Sequence, residues 1–287
     1  MNNYICKVIA EIGSTWHRPT PELFRQAALD SIRTAAKCGA DIIKFQMLTA
    51  DGPWSKERAL DKWEATRPYW LPPEWLPSLQ TLAHSTGVEF WMSLFDLKTV
   101  NRYARFCDGL KLASGELAEM SKPFLLALAK QAERLAIPLA ISTGTHTEVE
   151  VMRALDWLSN FNIEIILMNC VSKYPAEVDD YNLLWPLKYR GRVTLGLSDH
   201  TLDIDLVSRA VELGYVYFEK HFRLGDTPPD NPDFGHSLPP DKLERYVKAI
   251  RWSESIWLGI EKQLAPGEED ELIWMQRGSD GKRPRDA

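Results

Sequence analysis

No run of apolar residues in this 287-residue chain approaches the roughly 18 needed to cross a bilayer. The start, Met1-Asn2-Asn3-Tyr4, also lacks the charged-then-apolar order of a secretory leader, so a cytoplasmic chain is expected. Cysteine is sparse. Cys6, Cys38, Cys107 and Cys170 lie scattered without a CxxC pair, which predicts reduced, packed thiols and not a disulfide framework. No GxGxxG or P-loop run follows the first strand, which argues against an open nucleotide-binding sheet. Positive charge is scarce too: the net charge is −6, and the single basic block, Lys282-Arg283-Pro284-Arg285, is short. That argues against a nucleic-acid face.

What is present is ordinary globular composition, 45% apolar and 26% charged, enough to bury a large core. Short β-rich runs alternate with longer amphipathic ones from end to end. The strands are read at Tyr4–Ile9, Asp41–Gln46, Val88–Phe95, Gly109–Ala113, Pro138–Ser142, Glu164–Cys170, Arg192–Ser198 and Tyr215–Phe222. A helix is read after each, including one near Leu183–Tyr189 and one opening at Asp203 as N-cap. Eight strands and eight helices in strict alternation predict an α/β chain folded as a single-domain (β/α)8 TIM barrel over residues 1–262, with 263–287 as a polar C-terminal extension.

In such a barrel the chemistry lies at the carboxyl ends of the strands. Those ends carry Glu11; Lys44 and Gln46; Ser93 and Asp96; Lys111, Ser114 and Glu116; Ser142 and Thr143; Ser172 and Tyr174; Ser198, Asp199 and His200; and Glu219, Lys220 and His221. Lys44 and Lys111 each interrupt an apolar strand, and a buried ammonium needs an anionic partner. A structural ion pair with Glu11 or Glu219 would satisfy one lysine. Two lysines among Ser93, Ser114, Ser142 and Ser198 suit a bound phosphate or carboxylate. His200 and His221, at the ends of adjacent strands, suit a divalent metal such as Mn²⁺ or Zn²⁺. His17, His84, His146 and His236 are weaker candidates, and Trp54, Trp63 and Trp70 are expected to pack a long loop onto the barrel rim.

Read in order, these landmarks resemble the N-acetylneuraminate (sialic acid) synthase family. The matching stretches are Ala10-Glu11-Ile12-Gly13, Gly39-Ala40-Asp41-Ile42-Ile43-Lys44-Phe45-Gln46, Lys111-Leu112-Ala113-Ser114-Gly115-Glu116 and Ser142-Thr143-Gly144. Further on come Tyr174-Pro175-Ala176, Gly196-Leu197-Ser198-Asp199-His200-Thr201, Glu219-Lys220-His221-Phe222 and Pro232-Asp233 before Ser237. The resemblance implies condensation of phosphoenolpyruvate with an open-chain, N-acetylmannosamine-like aldose to a 2-keto-3-deoxy nonulosonic acid. It implies that His200 and His221 hold the metal, Mn²⁺ or Mg²⁺, and that Lys44, Lys111, Ser114, Ser142 and Ser198, helped by Ser93 and Ser172, cradle phosphoenolpyruvate. Gln46, Tyr174 and Asp233 would face the sugar, and Glu11 and Glu116 the reacting carbons, Glu116 handling the protons of the attacking water. A homodimer is implied as well.

The chain departs from the family pattern in four places. The loop Gly13-Ser14-Thr15-Trp16-His17-Arg18-Pro19 replaces an Asn-His-Asn-Gly type run, and Met92-Ser93-Leu94-Phe95-Asp96 replaces Ser-Thr-Pro-Phe-Asp. Ser172 stands where some members have Asn, and too few residues follow the barrel for the family's C-terminal antifreeze-like domain. Two alternatives stay open at this point. One is a non-catalytic barrel that binds a sugar or phosphoenolpyruvate as a regulatory or assembly subunit. The other is a 3-deoxy-ulosonate synthase on a phosphorylated aldose, with Arg18 and Arg223 as the only cations for a second phosphate.

Overall fold

The computed structural model describes residues 6–257 and 267–284, apart from the side chains of Trp257 and Ile273. Eight parallel strands close on themselves in chain order: β1 Lys7–Glu11, β2 Ile42–Met47, β3 Glu89–Leu94, β4 Gly109–Leu112, β5 Leu139–Ser142, β6 Ile165–Cys170, β7 Thr194–Asp199 and β8 Tyr217–His221. β1 pairs with β8 in the register Ile9↔Glu219 and Glu11↔His221, which seals the barrel. The expected (β/α)8 barrel is therefore the fold found. Among the described residues no helix is long and apolar enough to cross a membrane.

Strand alternation sorts the apolar residues into two cores. Val8, Ala10, Ile43, Phe45, Phe90, Leu110, Leu139, Leu167, Leu197 and Phe218 point outward and pack under the helices. The positions between them form a separate cluster inside the barrel, with Ile9, Ile42, Trp91, Ala140, Ile166 and Met168 fully buried and Tyr217 against them. That plug fills the amino-terminal half of the lumen. Two residues further along the same faces come Glu11, Lys44, Ser93, Ser142 and Glu219, so the polar site is the next layer above the plug.

The helices are α1 Phe24–Lys37, α2 Leu60–Thr66, α3 Leu76–Ser85, α4 Leu97–Tyr103, α5 Lys122–Leu135, α6 Glu148–Leu158, α7 Leu206–Glu212, α8 Pro240–Trp257 and α9 Glu268–Met275. Strict alternation fails once. After β6 the expected helix is only 3₁₀ turns, Val178–Asp180 and Trp185–Tyr189. There the Asn182 carboxamide accepts from the amides of Leu184 and Trp185, and Pro186 has no amide to offer. α7 starts at Leu206 and not at an Asp203 cap, because the Asp203 carboxylate accepts from Asp205 N (2.7 Å) and closes a turn before the helix. The polar extension carries α9, and the Tyr4 start expected for β1 lies outside the described residues.

All four cysteines are free and buried, as expected. Burial pushes the Cys6 thiol up to about 12, so it is unreactive near neutrality.

Candidate active site

The site is two connected layers. The lower is an ion network in the lumen. Lys44 Nζ contacts Glu11 Oε2 on the neighbouring strand, donates to Ser93 Oγ (3.1 Å) on the other side and lies 3.6 Å from Glu219 Oε2. Lys111 Nζ reaches Glu219 Oε1 and Ser198 Oγ (3.4 Å), and Ser198 Oγ itself donates to Glu219 Oε1 (3.1 Å). β4 and β8 are not neighbours, so the Lys111–Glu219 contact crosses the barrel interior. Both lysines thus have carboxylate partners, as the structural ion-pair reading required.

Electrostatics separates the two acids. Burial raises the Glu11 carboxyl to about 7, outweighing the attraction of Lys44. Burial acts the same way on Glu219, but Lys111 and Lys44 together overcome it and hold the group at about 2. For Lys44, burial is outweighed by Glu11 and Glu219, which raise it. Near neutrality Glu219 is therefore a fixed anion, while the Glu11 carboxyl shares a proton with its surroundings. Beside this layer, Ser142 Oγ and Ser172 Oγ are buried without a hydrogen-bond partner. Such hydroxyls cost free energy until a ligand oxygen meets them.

The upper layer is a cluster of rings. His200 directly follows β7 and His221 ends β8, with ring centroids 5.6 Å apart. His200 Nδ1 lies 2.6 Å from the Val171 carbonyl, which can only accept. Nδ1 is therefore the protonated nitrogen, and Nε2 keeps its lone pair. Burial lowers both histidines, His200 to about 4 and His221 well below its ordinary value, so both are neutral imidazoles. Tyr174 packs over His200 at 4.3 Å, and its hydroxyl lies 3.4 Å from Ser114 Oγ.

His236, set aside in the sequence as weak, packs against His221 at 4.6 Å. Donor atoms of His221, Asp233 and His236 lie within 4.8 Å of one another, whereas His200 falls outside that group. Asp233 was expected to face the sugar, and it also joins this group. Its Oδ2 accepts from Ser14 N (2.7 Å) and Ser14 Oγ (2.8 Å). Gly13, at φ +50°, permits the approach: a Cβ there would lie 2.3 Å from Asp233 Oδ2. The altered loop after Glu11 is thus a clamp on Asp233.

Outside the rings opens a cavity of about 570 Å³ whose lining includes Ser14, Gln46, Trp54, Ser114, Glu116 and Asp233. Burial raises the Glu116 carboxyl. Glu116 therefore faces the outer cavity, while Glu11 sits in the lumen network. Trp54 lines this cavity and is not packed away on the rim. Trp63 and Trp70 do pack there, 5.1 Å apart, with Trp63 Nε1 bonded to Ala50 O. His17 stacks with Phe24 and Tyr69. Arg18 is consumed by Asp226 (2.9 Å) and the Thr15 carbonyl (2.7 Å), and Arg223 lies over Phe234. Arg18 is therefore not free for a second phosphate.

Sequence reasoning left out two residues of the site. Glu219 was weighed only as a counter-ion, although its place two residues before His221 puts it on the lumen face. His236 lies in a short 3₁₀ turn, Phe234–His236, with no strand pattern to place it.

The NeuB family model matches residues 31–262. The N,N'-diacetyllegionaminic acid synthase of Legionella pneumophila is 30% identical over 283 residues, spanning 92% of this chain and 76% of that protein. The pseudaminic acid synthase of Campylobacter jejuni is 31% identical over 267 residues, spanning 86% and 74%. The solved N-acetylneuraminic acid synthetase of Leptospira borgpetersenii, in complex with citrate, has the same fold: TM-score 0.79 at 24% identity, over 94% of this chain and 91% of that one.

Proposed function

The chain belongs to the NeuB family, and from that membership we propose that it condenses phosphoenolpyruvate with an open-chain acylamino aldose. The product is a 2-keto-3-deoxy nonulosonic acid, with release of phosphate. One observation carries the reading: Lys44, Lys111 and the unpartnered hydroxyls of Ser142 and Ser172 share the barrel mouth with a histidine cluster whose Asp233 also lines a sugar-sized cavity.

In this reading Lys44 and Lys111 neutralise the phosphate and carboxylate of phosphoenolpyruvate, and Ser93, Ser142, Ser172 and Ser198 complete its hydrogen bonds. The lysines then exchange part of their contact with Glu11 and Glu219 for the substrate anion. Glu11, with its raised carboxyl, can take up the proton that this exchange favours. Gln46, Ser114 and Asp233 line the cavity that would take the aldose, with Tyr174 beside Ser114, and Glu116 on the same wall would handle the protons of the attacking water. C3 of phosphoenolpyruvate bonds to the aldehyde carbon, whose oxygen gains a proton. Water adds at C2, and phosphate leaves with cleavage of its C–O bond.

The resemblance assigns a divalent ion such as Mn²⁺ or Mg²⁺ to His200 and His221, and two neutral imidazoles with centroids 5.6 Å apart, one of them with a buried unpartnered Nδ1 on His221, fit such an ion. When bound, the ion polarises the aldehyde. The test is phosphate release from phosphoenolpyruvate with Mn²⁺ and a panel of N-acetylmannosamine, a diacetamido hexose, mannose and mannose 6-phosphate, with mass spectrometry of the products. Sugar-dependent phosphate and a nonulosonic acid mass are expected with an acylamino aldose. No sugar-dependent release from any member overturns the proposal.

A further inference from the structure

We propose that His236 is a direct ligand of the divalent ion in this chain, completing with His221 and Asp233 a seat of two imidazoles and one carboxylate. This deepens the metal part of the reading above and rests on it. The pair His200 and His221 implied by the resemblance leaves His236 no role, and the geometry gives it one.

Three observations converge. First, His221 Nδ1 and His236 Nε2 are both buried and both without a hydrogen-bond partner. Two orphaned imidazole nitrogens in one cluster are costly in a folded protein unless something else meets their lone pairs. Second, Asp233 is held as a ligating carboxylate is held. Ser14 fixes its Oδ2 through two hydrogen bonds, while Oδ1 turns toward His236 Nε2 at 3.4 Å. Asn231 tightens the clamp by donating from Nδ2 to Ser14 O (2.9 Å). Outer partners of this kind orient metal ligands.

Third, the spacing suits an ion. Donors about 2.1 Å from a common ion lie up to about 4.2 Å apart, and the three here lie within 4.8 Å. Closing onto an ion takes a side-chain shift of well under an ångström. The plain alternative is an Asp233–His236 ion pair with no metal role. It does not explain the unpaired His221 nitrogen. Two imidazoles and a carboxylate leave open positions on an ion of the Mn²⁺ type, enough for the His200 imidazole and oxygen atoms of a substrate.

The test uses the full chain stripped of metal, with neither phosphoenolpyruvate nor sugar present. Mn²⁺ is titrated while the free-ion electron paramagnetic resonance signal is followed. His236→Ala and the volume-preserving His236→Gln are each expected to weaken binding more than tenfold while keeping the wild-type circular dichroism. His236→Cys, loaded with Co²⁺, is expected to gain a thiolate-to-cobalt charge-transfer band that the wild type lacks. Wild-type Mn²⁺ affinity in natively folded His236→Ala or His236→Gln overturns the proposal, as does a natively folded His236→Cys that binds Co²⁺ without the band. Because no turnover enters these readouts, the two proposals fail separately. His236-dependent binding without phosphate release from any aldose sinks the synthase reading alone, and turnover with His236-independent binding sinks only this one.

Discussion

Lys111 and Glu219 meet across the lumen with almost no access to water, so neither can be removed alone without leaving a buried charge. Lys111→Met is expected to cost about 3–5 kcal/mol of stability, the usual effect of stranding one member of a buried pair. The double variant Lys111→Met/Glu219→Leu should recover most of that loss in urea unfolding while phosphate release stays more than a hundredfold down. Recovered turnover in the double variant would show that Lys111 serves the fold only. The pH dependence separates the acids. Glu219, held at about 2, contributes stability that is fully present above its unfolded value near 4.5 and is lost as pH falls from there toward 2. Glu11 has the opposite sign. Its folded carboxyl, at about 7, keeps a proton that the unfolded chain has released, so stability declines as pH rises from about 4.5 through 7. Urea midpoints between pH 5 and 7.5 should fall in the wild type and stay level in Glu11→Gln. A parallel fall in both would assign the slope to other groups.

At the scale of elements, strand alternation is what turns eight short segments into a site. Each strand carries outward apolar positions under the helices and inward ones that run from plug to polar layer. The plug is tight. Gly109 sits beside Trp91 in the β3–β4 register, and a Cβ on it would lie 2.1 Å from the indole ring. Gly109→Ala is therefore expected to destabilise by about 1–3 kcal/mol through overpacking. Thermal or urea unfolding checks this, and an unchanged midpoint would mean that the lumen floor yields. The sequence pattern placed every strand to within a few residues, because buried parallel strands are short apolar runs between turns. It failed after β6, where Asn182 and Pro186 favour tight turns over a helix that apolar spacing alone suggested. It also placed the three tryptophans on the rim together, although Trp54 lines the cavity.

At the scale of the whole molecule, neither the apolar plug nor the packing under the helices includes any of the candidate ion ligands. Chelation is therefore expected to abolish phosphate release while leaving far-ultraviolet circular dichroism and cooperative unfolding in place, with Mn²⁺ restoring turnover. Loss of the folded signal on chelation would make the ion structural. The sequence by itself determined the barrel, the family and the strand-end inventory: Glu11, Lys44, Ser93, Lys111, Ser142, Ser198, His200 and His221. Period-two patterning and position at a strand end are local properties, legible residue by residue. Only the tertiary structure decided the partnerships. Lys111 meets Glu219 because barrel closure brings β4 and β8 to face each other across the lumen. His236 reaches His221 because Ser14, from the loop after β1, pins Asp233 in the loop after β8. Those contacts join residues up to 219 positions apart, at a distance where no local pattern carries information.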